Sequence, residues 1–449
     1  MDLKNYWFVL SGIATLLIFF FMSTFPLRIF FSLLFFLLLL VLQRHLFSRK
    51  RHDLSVDLSK SDVLSRFWLV LPYLLALIGS LCVILVPSSG VEVDHSSVFT
   101  TFSSLPVFLL LRTVLGLFLL SIFPGYVVLT SFLRGKSFSS FEKMGLVLAL
   151  SYCVNALLGL TLSQLGFLSP ISYVGSMWLF VSIVEVVRRF SLRSSTKTIP
   201  NEHASIWEIL LLFLTSCTLL LGSYSIVLSP GPLSEVTGGD IADYMKFANE
   251  VFHLGLSSYM PWLLSYLVSG RILTGLPIIY VYSAIQYLVL IVPASVYFFM
   301  KQLFPRQRKA AAVSAFMVSI LYGMTSLPFL VKLVGSPNLL GQYMGGAIQS
   351  TMRKFVLGVA NTNSHVLWNR TVEDGLFFLA LAFLYRFLSI CGEERGLKNL
   401  FFAAVFLNAA LFTHSVLLFL CLVGSVMIFS LLQNVSKKRL IGVVVVGTL

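Results

Sequence analysis

The chain has 449 residues, 57% of them hydrophobic and only 11% charged, with a mean hydropathy of +0.92. That composition excludes a water-soluble globular domain of this size and indicates an all-α polytopic membrane protein. The formal net charge of +14 would raise nucleic acid as a partner in a soluble chain, but most of it is a topogenic signal, so no nucleic-acid surface is implied.

Apolar runs of about 20 residues, long enough to cross a bilayer as helices, recur from end to end. They lie at 6–23, 29–43, 67–86, 105–133, 144–163, 171–187, 206–228, 278–300, 311–330, 372–389, 399–413 and 415–432. A thirteenth starts at Leu440 and the chain ends inside it, which reads as a fragment of a longer protein with 12–13 transmembrane helices. The first run follows Lys4 with no small-residue cleavage site after it, the pattern of a signal anchor with a cytoplasmic N-terminus. On that topology all but eight of the 32 Lys and Arg fall in or beside cytoplasmic loops, the exceptions being Arg28, Arg112, Lys246, Arg271, Lys332, Arg353, Lys354 and Arg370.

Residues 1–200 hold six spans with short outer loops and end in the basic stretch "RRFSLRSSTKTIPNEH", a cytoplasmic linker. In residues 201–449 the spans are separated by two long outer loops, 229–277 and 331–371. Loops of that length are usually functional or folded in their own right. Cys82, Cys153, Cys217, Cys391 and Cys421 have no CxxC spacing and read as buried thiols, neither a disulfide framework nor a metal site.

In the first region, "RTVLGLFLLSIFPGYVVLTSFL" is followed by "SSFEKMGLVLALSYCVNALLGL". Pro124 and Gly125 should kink or break the span at 105–133. The pair of segments resembles a family of uncharacterised archaeal membrane proteins with a Pro-Gly-Tyr signature in one span and an acidic residue at the start of the next helix. A partner membrane protein docking on this region is one reading of it.

The first long outer loop contains "GGDIADYMKFANEV", Gly238 to Val251. At 100° per residue Ile241, Met245, Ala248 and Phe252 share one face, and Asp240, Asp243, Tyr244, Phe247 and Glu250 the other. This is the pattern of a short helix lying in the membrane interface. Asp240 follows two glycines, so its carboxylate reads either as a helix N-cap or, with Asp243 one turn on, as a base or cation ligand for chemistry at the membrane boundary.

From here to about residue 432 the order of features resembles the polytopic glycosyltransferases of the GT-C type. A span ends outside, an acidic residue follows on an interfacial helix, then come an aromatic-Pro-aromatic turn (Tyr259 to Trp262), "TGLP" (Thr274 to Pro277) before a long span, and Pro293 with Tyr297 within it. Farther on, "FLNAALFTHSVLLFL" looks like that family's helix pair with a His at the outer tip. The resemblance implies a GT-C-like core and transfer of a sugar from a polyprenyl-phosphate donor on the extracytoplasmic side. It makes Asp240 the base, with Asp243 a helper, a cation ligand or surface.

Departing lipid phosphate calls for positive charge, and the outer cations supply it. Arg353, Lys354 and Arg370 rank first, with Lys332, Arg271 and His414 behind them. Arginine matches phosphate with a fork of donors and lysine with a point charge, while headgroup contact by a snorkelling side chain is the structural alternative. His365, Glu373 and Asp374 stay open between structure and function. "DIAD" lacks an Asp-x-Asp spacing, so a metal-free route is expected, with a divalent cation on Asp240 and Asp243 the alternative and no other cofactor implied. The acceptor is not specified.

P-loop, HExxH and GxSxG motifs are absent. The rival classes are a lipid-linked-sugar flippase or transporter and a non-catalytic scaffold. Transporters place ionisable groups near the bilayer midplane, whereas these spans read as almost free of charge, which favours a site at the outer interface.

Overall fold

The computed structural model describes residues 60–87, 105–133, 138–191, 206–227, 246–248, 250–251, 260–305, 307–323, 368–389 and 393–413. Among these residues the protein is helical with no strand. In chain order, α1 is Lys60–Leu85, α2 Val107–Ser121, α3 Phe123–Phe132, α4 Ser140–Gln164, α5 Pro170–Ser191 and α6 Ile206–Val227. Then come α7 Pro261–Thr274, α8 Ile278–Ala284, a 3₁₀ turn Ile285–Leu290, α9 Ile291–Leu303, α10 Arg308–Gly323, α11 Trp368–Ser389 and α12 Glu393–Thr413. Among the described residues, four helical stretches are long and apolar enough to cross a membrane: Val107–Phe132, Ser140–Gln164, Pro170–Arg188 and Ile278–Leu303.

The expected break at Pro124 and Gly125 occurs at Ile122, whose φ of −123° separates α2 from α3. Proline sits in the first turn of α3, where a missing N–H costs nothing. Gly125 then lets α3 lie directly on α4: a Cβ there would come within 2.6 Å of Ser151 Oγ, and its N–H donates to that oxygen at 2.8 Å. The span at 278–300 is interrupted too, by the 3₁₀ turn, and Pro293 falls in the first turn of α9.

The signature acid Glu142 closes a capping box at the start of α4. Ser139 N–H donates to Glu142 Oε2 at 2.6 Å and Glu142 N–H to Ser139 Oγ at 3.3 Å, so two otherwise orphaned donors are satisfied reciprocally.

One core runs through residues on both sides of the linker: Phe123, Leu146, Tyr152 and Trp178 share it with Leu267, Tyr280, Phe298 and Phe383. Helix α4 is its seam. Gly159 lets α4 meet α7 backbone to backbone, with a Cβ there 2.5 Å from Ser265 O, the close approach that small residues permit in membrane bundles.

The largest departure from the sequence reading is α7. Residues 261–274 fall inside a stretch expected to be an outer loop, yet eleven residues from Leu263 to Thr274 are buried. Tyr266 packs on Tyr152, halfway along α4, with ring centroids 4.7 Å apart, while Thr274 lies at the opposite end of α7 beside Gly116 of α2. Helix α7 therefore begins near the middle of the bundle and rises to the end where α4 finishes at Gln164. Upstream, Val251 is already at that same end, its carbonyl accepting from Ser163 Oγ at 3.3 Å. Val251 and Thr274 thus lie at the same end of the bundle, and the start of α7 lies deeper.

Candidate functional site

Proline opens α7 at its first position and Gly275, in left-handed conformation at φ 76°, follows its last residue, the usual asymmetry of helix ends. Met260 precedes it at φ 46°, the one described non-glycine residue with positive φ, a strained conformation for a bulky side chain. The start of α7 carries no side-chain cap. Its other end is better provided for. Gly275 N–H donates to Arg271 O at 2.9 Å, Arg112 Nη2 to Ile272 O at 2.7 Å and Arg112 Nε to Leu273 O at 3.5 Å, and Thr113 Oγ1 lies 3.4 Å from Thr274 O. Three of the four terminal carbonyls, which a helix cannot satisfy by itself, thus have donors from the turn or from α2, while the single Thr113 hydroxyl proton goes to Leu109 O at 2.8 Å.

Arg112 is 1% exposed, and its Nη1 donates in addition to Val86 O at the end of α1. A single guanidinium thus joins α1, α2 and α7 through backbone carbonyls. Its planar fork of donors is what one side chain needs for that geometry, and a lysine could not reproduce it.

At this Gln164 end of the bundle, three sequence features converge. Arg271 stands in the last turn of α7, half-buried, where a cation also complements the negative end of the helix dipole. The "TGLP" turn joins α7 to α8. Residues 246–248 and 250–251, which continue the acidic stretch, are helical, with Ala248 and Val251 buried, Glu250 half-buried and Lys246 exposed. Burial of Ala248 agrees with the expected apolar face, but it faces protein core rather than lipid.

Asp240, Asp243, Lys332, Arg353, Lys354, His365 and His414 lie outside the described residues. Arg370 is in the first turn of α11, with its side chain likewise outside. The described residues contain no group of three or more His, Cys, Asp or Glu that could hold a metal ion.

Charge inside the helices is greater than the sequence suggested. At the opposite, Ser140 end, Lys301 Nζ lies 3.1 Å from Glu142 Oε2, and Tyr297 OH donates to Glu208. Arg386 donates from Nε to Gln302 Oε1 at 2.9 Å, its guanidinium over the rings of Phe298 at 4.7 Å and Phe138 at 5.1 Å. The acids Glu142 and Glu208 stand in the first turns of α4 and α6, and the cations Lys301 and Arg386 in the last turns of α9 and α11, the placement that helix dipoles favour. These contacts tie α4, α6 and α11 to α9 and read as a structural clasp.

Glu373 is a third kind of case. It is 4% exposed, within electrostatic range of the Tyr152 phenol, and two residues before Gly375, which packs on Ile291 and Val292. That places a carboxyl group near mid-depth in the bundle. Two separate groups of hydroxyls lie on either side of the packed Tyr152 and Tyr266 rings: Tyr152 OH meets Thr413 Oγ1 at 2.8 Å, and Ser121 Oγ lies 3.1 Å from Tyr266 OH and bonds Tyr287 OH.

The sequence reading missed Arg112 and α7, though signals for both were present. Pro261 and Gly275 bracket a helix-length segment, and Arg112 was among the cations that orientation left unexplained. In comparison with known proteins, no family model, no curated protein and no solved structure matches the chain.

Proposed function

We propose that the protein is an integral membrane glycosyltransferase that moves a sugar from a polyprenyl-phosphate donor to an acceptor, at the Gln164 end of the bundle and on the extracytoplasmic side. The observation that supports this reading most is the convergence at that end. The segment following Asp240 and Asp243 is anchored there through Val251 and Ser163, beside the helix end that carries Arg271.

In the reaction, a nucleophile on the acceptor attacks the anomeric carbon. The bond from that carbon to the phosphate oxygen breaks, and the lipid phosphate leaves with the electron pair. Asp240 takes the proton of the nucleophile, and Arg271, Arg353, Lys354 and Arg370 stabilise the charge that develops on the phosphate. A base and cations at the membrane boundary suit a donor whose isoprenoid tail stays in lipid.

The test is transfer by the purified full-length protein, supplied with a panel of polyprenyl-phosphate sugars and a membrane extract as acceptor, wild type beside Asp240→Asn. Loss of transfer in a folded Asp240→Asn protein supports the reading, and absence of transfer by folded wild type from every donor sinks it.

A second reading, a lipid-linked-sugar flippase, draws on a specific observation. Glu373 is buried near mid-depth, and α7 and the α8–α9 pair are broken or partial helices, features that transporters place around their pathways. Under that reading Asp240→Asn still moves lipid-linked sugar across liposomes.

A further inference from the structure

Arg112 does more than satisfy carbonyls. It is a buried charge that donates to three backbone oxygens, two of them on the two residues that immediately follow Arg271. A helix end can be capped by a glycine turn alone, and α7 already has one at Gly275. The additional guanidinium fixes where that end stands relative to α1 and α2. The fit is close on every side: a Cβ on Gly275 would fall 2.9 Å from Arg112 Nε, and one on Gly116, one turn along α2, would fall 2.5 Å from Leu273 O. Residues from the first region thus set the height and rotation of a half-helix that belongs to the second.

We propose that Arg112 is a positioning residue for Arg271: by holding Ile272 O and Leu273 O it orients the last turn of α7, so that the Arg271 guanidinium meets the phosphate of a polyprenyl-phosphate ligand. The phosphate part rests on the function proposed above; the positioning part does not. Arg112 itself, 1% exposed and committed to three carbonyls, touches no ligand. The proposal also gives the first region a role, as the cradle of α7.

The experiment has two readouts on the full chain in lipid nanodiscs. The first is local geometry without ligand. In Arg271→Cys, the rate of modification of the introduced thiol by a charged, water-soluble maleimide is followed at that residue by peptide mass spectrometry, alone and combined with Arg112→Gln or Arg112→Lys. The expected result is a change of about fivefold or more in both combinations, because neither glutamine nor lysine can serve Ile272 O and Leu273 O together. Native Cys153 and Cys217 should keep their rates. An unchanged rate at residue 271 overturns the proposal, as does parallel acceleration at Cys153 and Cys217, which would mean general loosening. Arg112→Lys, which keeps the charge, serves where Arg112→Gln fails to fold.

The second readout is binding of polyprenyl phosphate. Arg112→Lys and Arg271→Gln should each weaken it about tenfold, and the double variant no further, since groups acting through one contact are not additive. Additive losses overturn the proposal. A shifted rate at residue 271 with no polyprenyl-phosphate binding by wild type would retain Arg112 as the positioning group and remove the proposed function.

Discussion

Lys301 Nζ stands 3.1 Å from Glu142 Oε2, joining the last turn of α9 to the first turn of α4 across 159 residues of sequence. Glu142 is 1% exposed and the Lys301 side chain 15%, so the carboxylate is buried and its partner partly so, and such a pair is most sensitive to loss of one member. Glu142→Gln should lower stability by about 3 kcal/mol, because Lys301 and the neighbouring Arg386 would keep their charges without the carboxylate. Adding Lys301→Met should recover part of the loss. Thermal unfolding of the four proteins in one detergent checks this, and a double variant less stable than Glu142→Gln would contradict it.

Close helix packing makes a second prediction. Gly159→Val should displace α7, costing about 1–3 kcal/mol, since a Cβ at that position already falls 2.5 Å from Ser265 O. Gly166 is the contrast: its φ is +70° but nothing lies within 4 Å of its Cβ position, so Gly166→Ala should cost only about 1–2 kcal/mol of backbone strain. Yield of monodisperse protein and its thermal midpoint should rank wild type first, Gly166→Ala second and Gly159→Val last.

Trp178 Nε1 donates to Ser80 Oγ at 2.9 Å, and Trp178 is 2% and Ser80 0% exposed. Ser80→Ala leaves that indole N–H buried without its acceptor, with an expected loss of about 1–3 kcal/mol. Ser80→Thr, which keeps a hydroxyl, should lose less, and a reversed order of the two midpoints would count against the bond.

For the proposed transfer reaction, Asp240→Asn should reduce turnover by about 100-fold or more, the scale of a lost general base. Arg353→Ala should act mainly on the KM for the lipid donor. Steady-state kinetics with one polyprenyl-phosphate sugar separates the two, and equal loss of turnover in both variants would mean that the residues do not divide the work in this way.

Glu373 distinguishes the two readings. Glu373→Gln should leave sugar transfer within about threefold of wild type if the chemistry belongs to the Gln164 end. Under the flippase reading the same substitution stops lipid movement in liposomes, because a mid-depth carboxylate is then part of the path. Scrambling and transfer assays on one preparation decide between them.

The all-helical class was written in the chain. Long apolar runs leave the backbone no partners but its own, so they fold as helices wherever they pack. The break near Pro124 and the capping box at Ser139 and Glu142 were equally local, since ring geometry and side-chain reach over three residues decide them. What tertiary structure alone decided is where charged and half-helical elements go. Whether Arg112 meets lipid headgroups or caps α7 depends on Ile272, 160 residues away. Whether residues 261–274 lie on the surface or in the core depends on glycines at 116 and 159, which remove the side chains that would otherwise keep α7 out. Periodicity sees neither, because both are contacts between segments remote in sequence, and burial of a charge is set by the partners that folding brings to it.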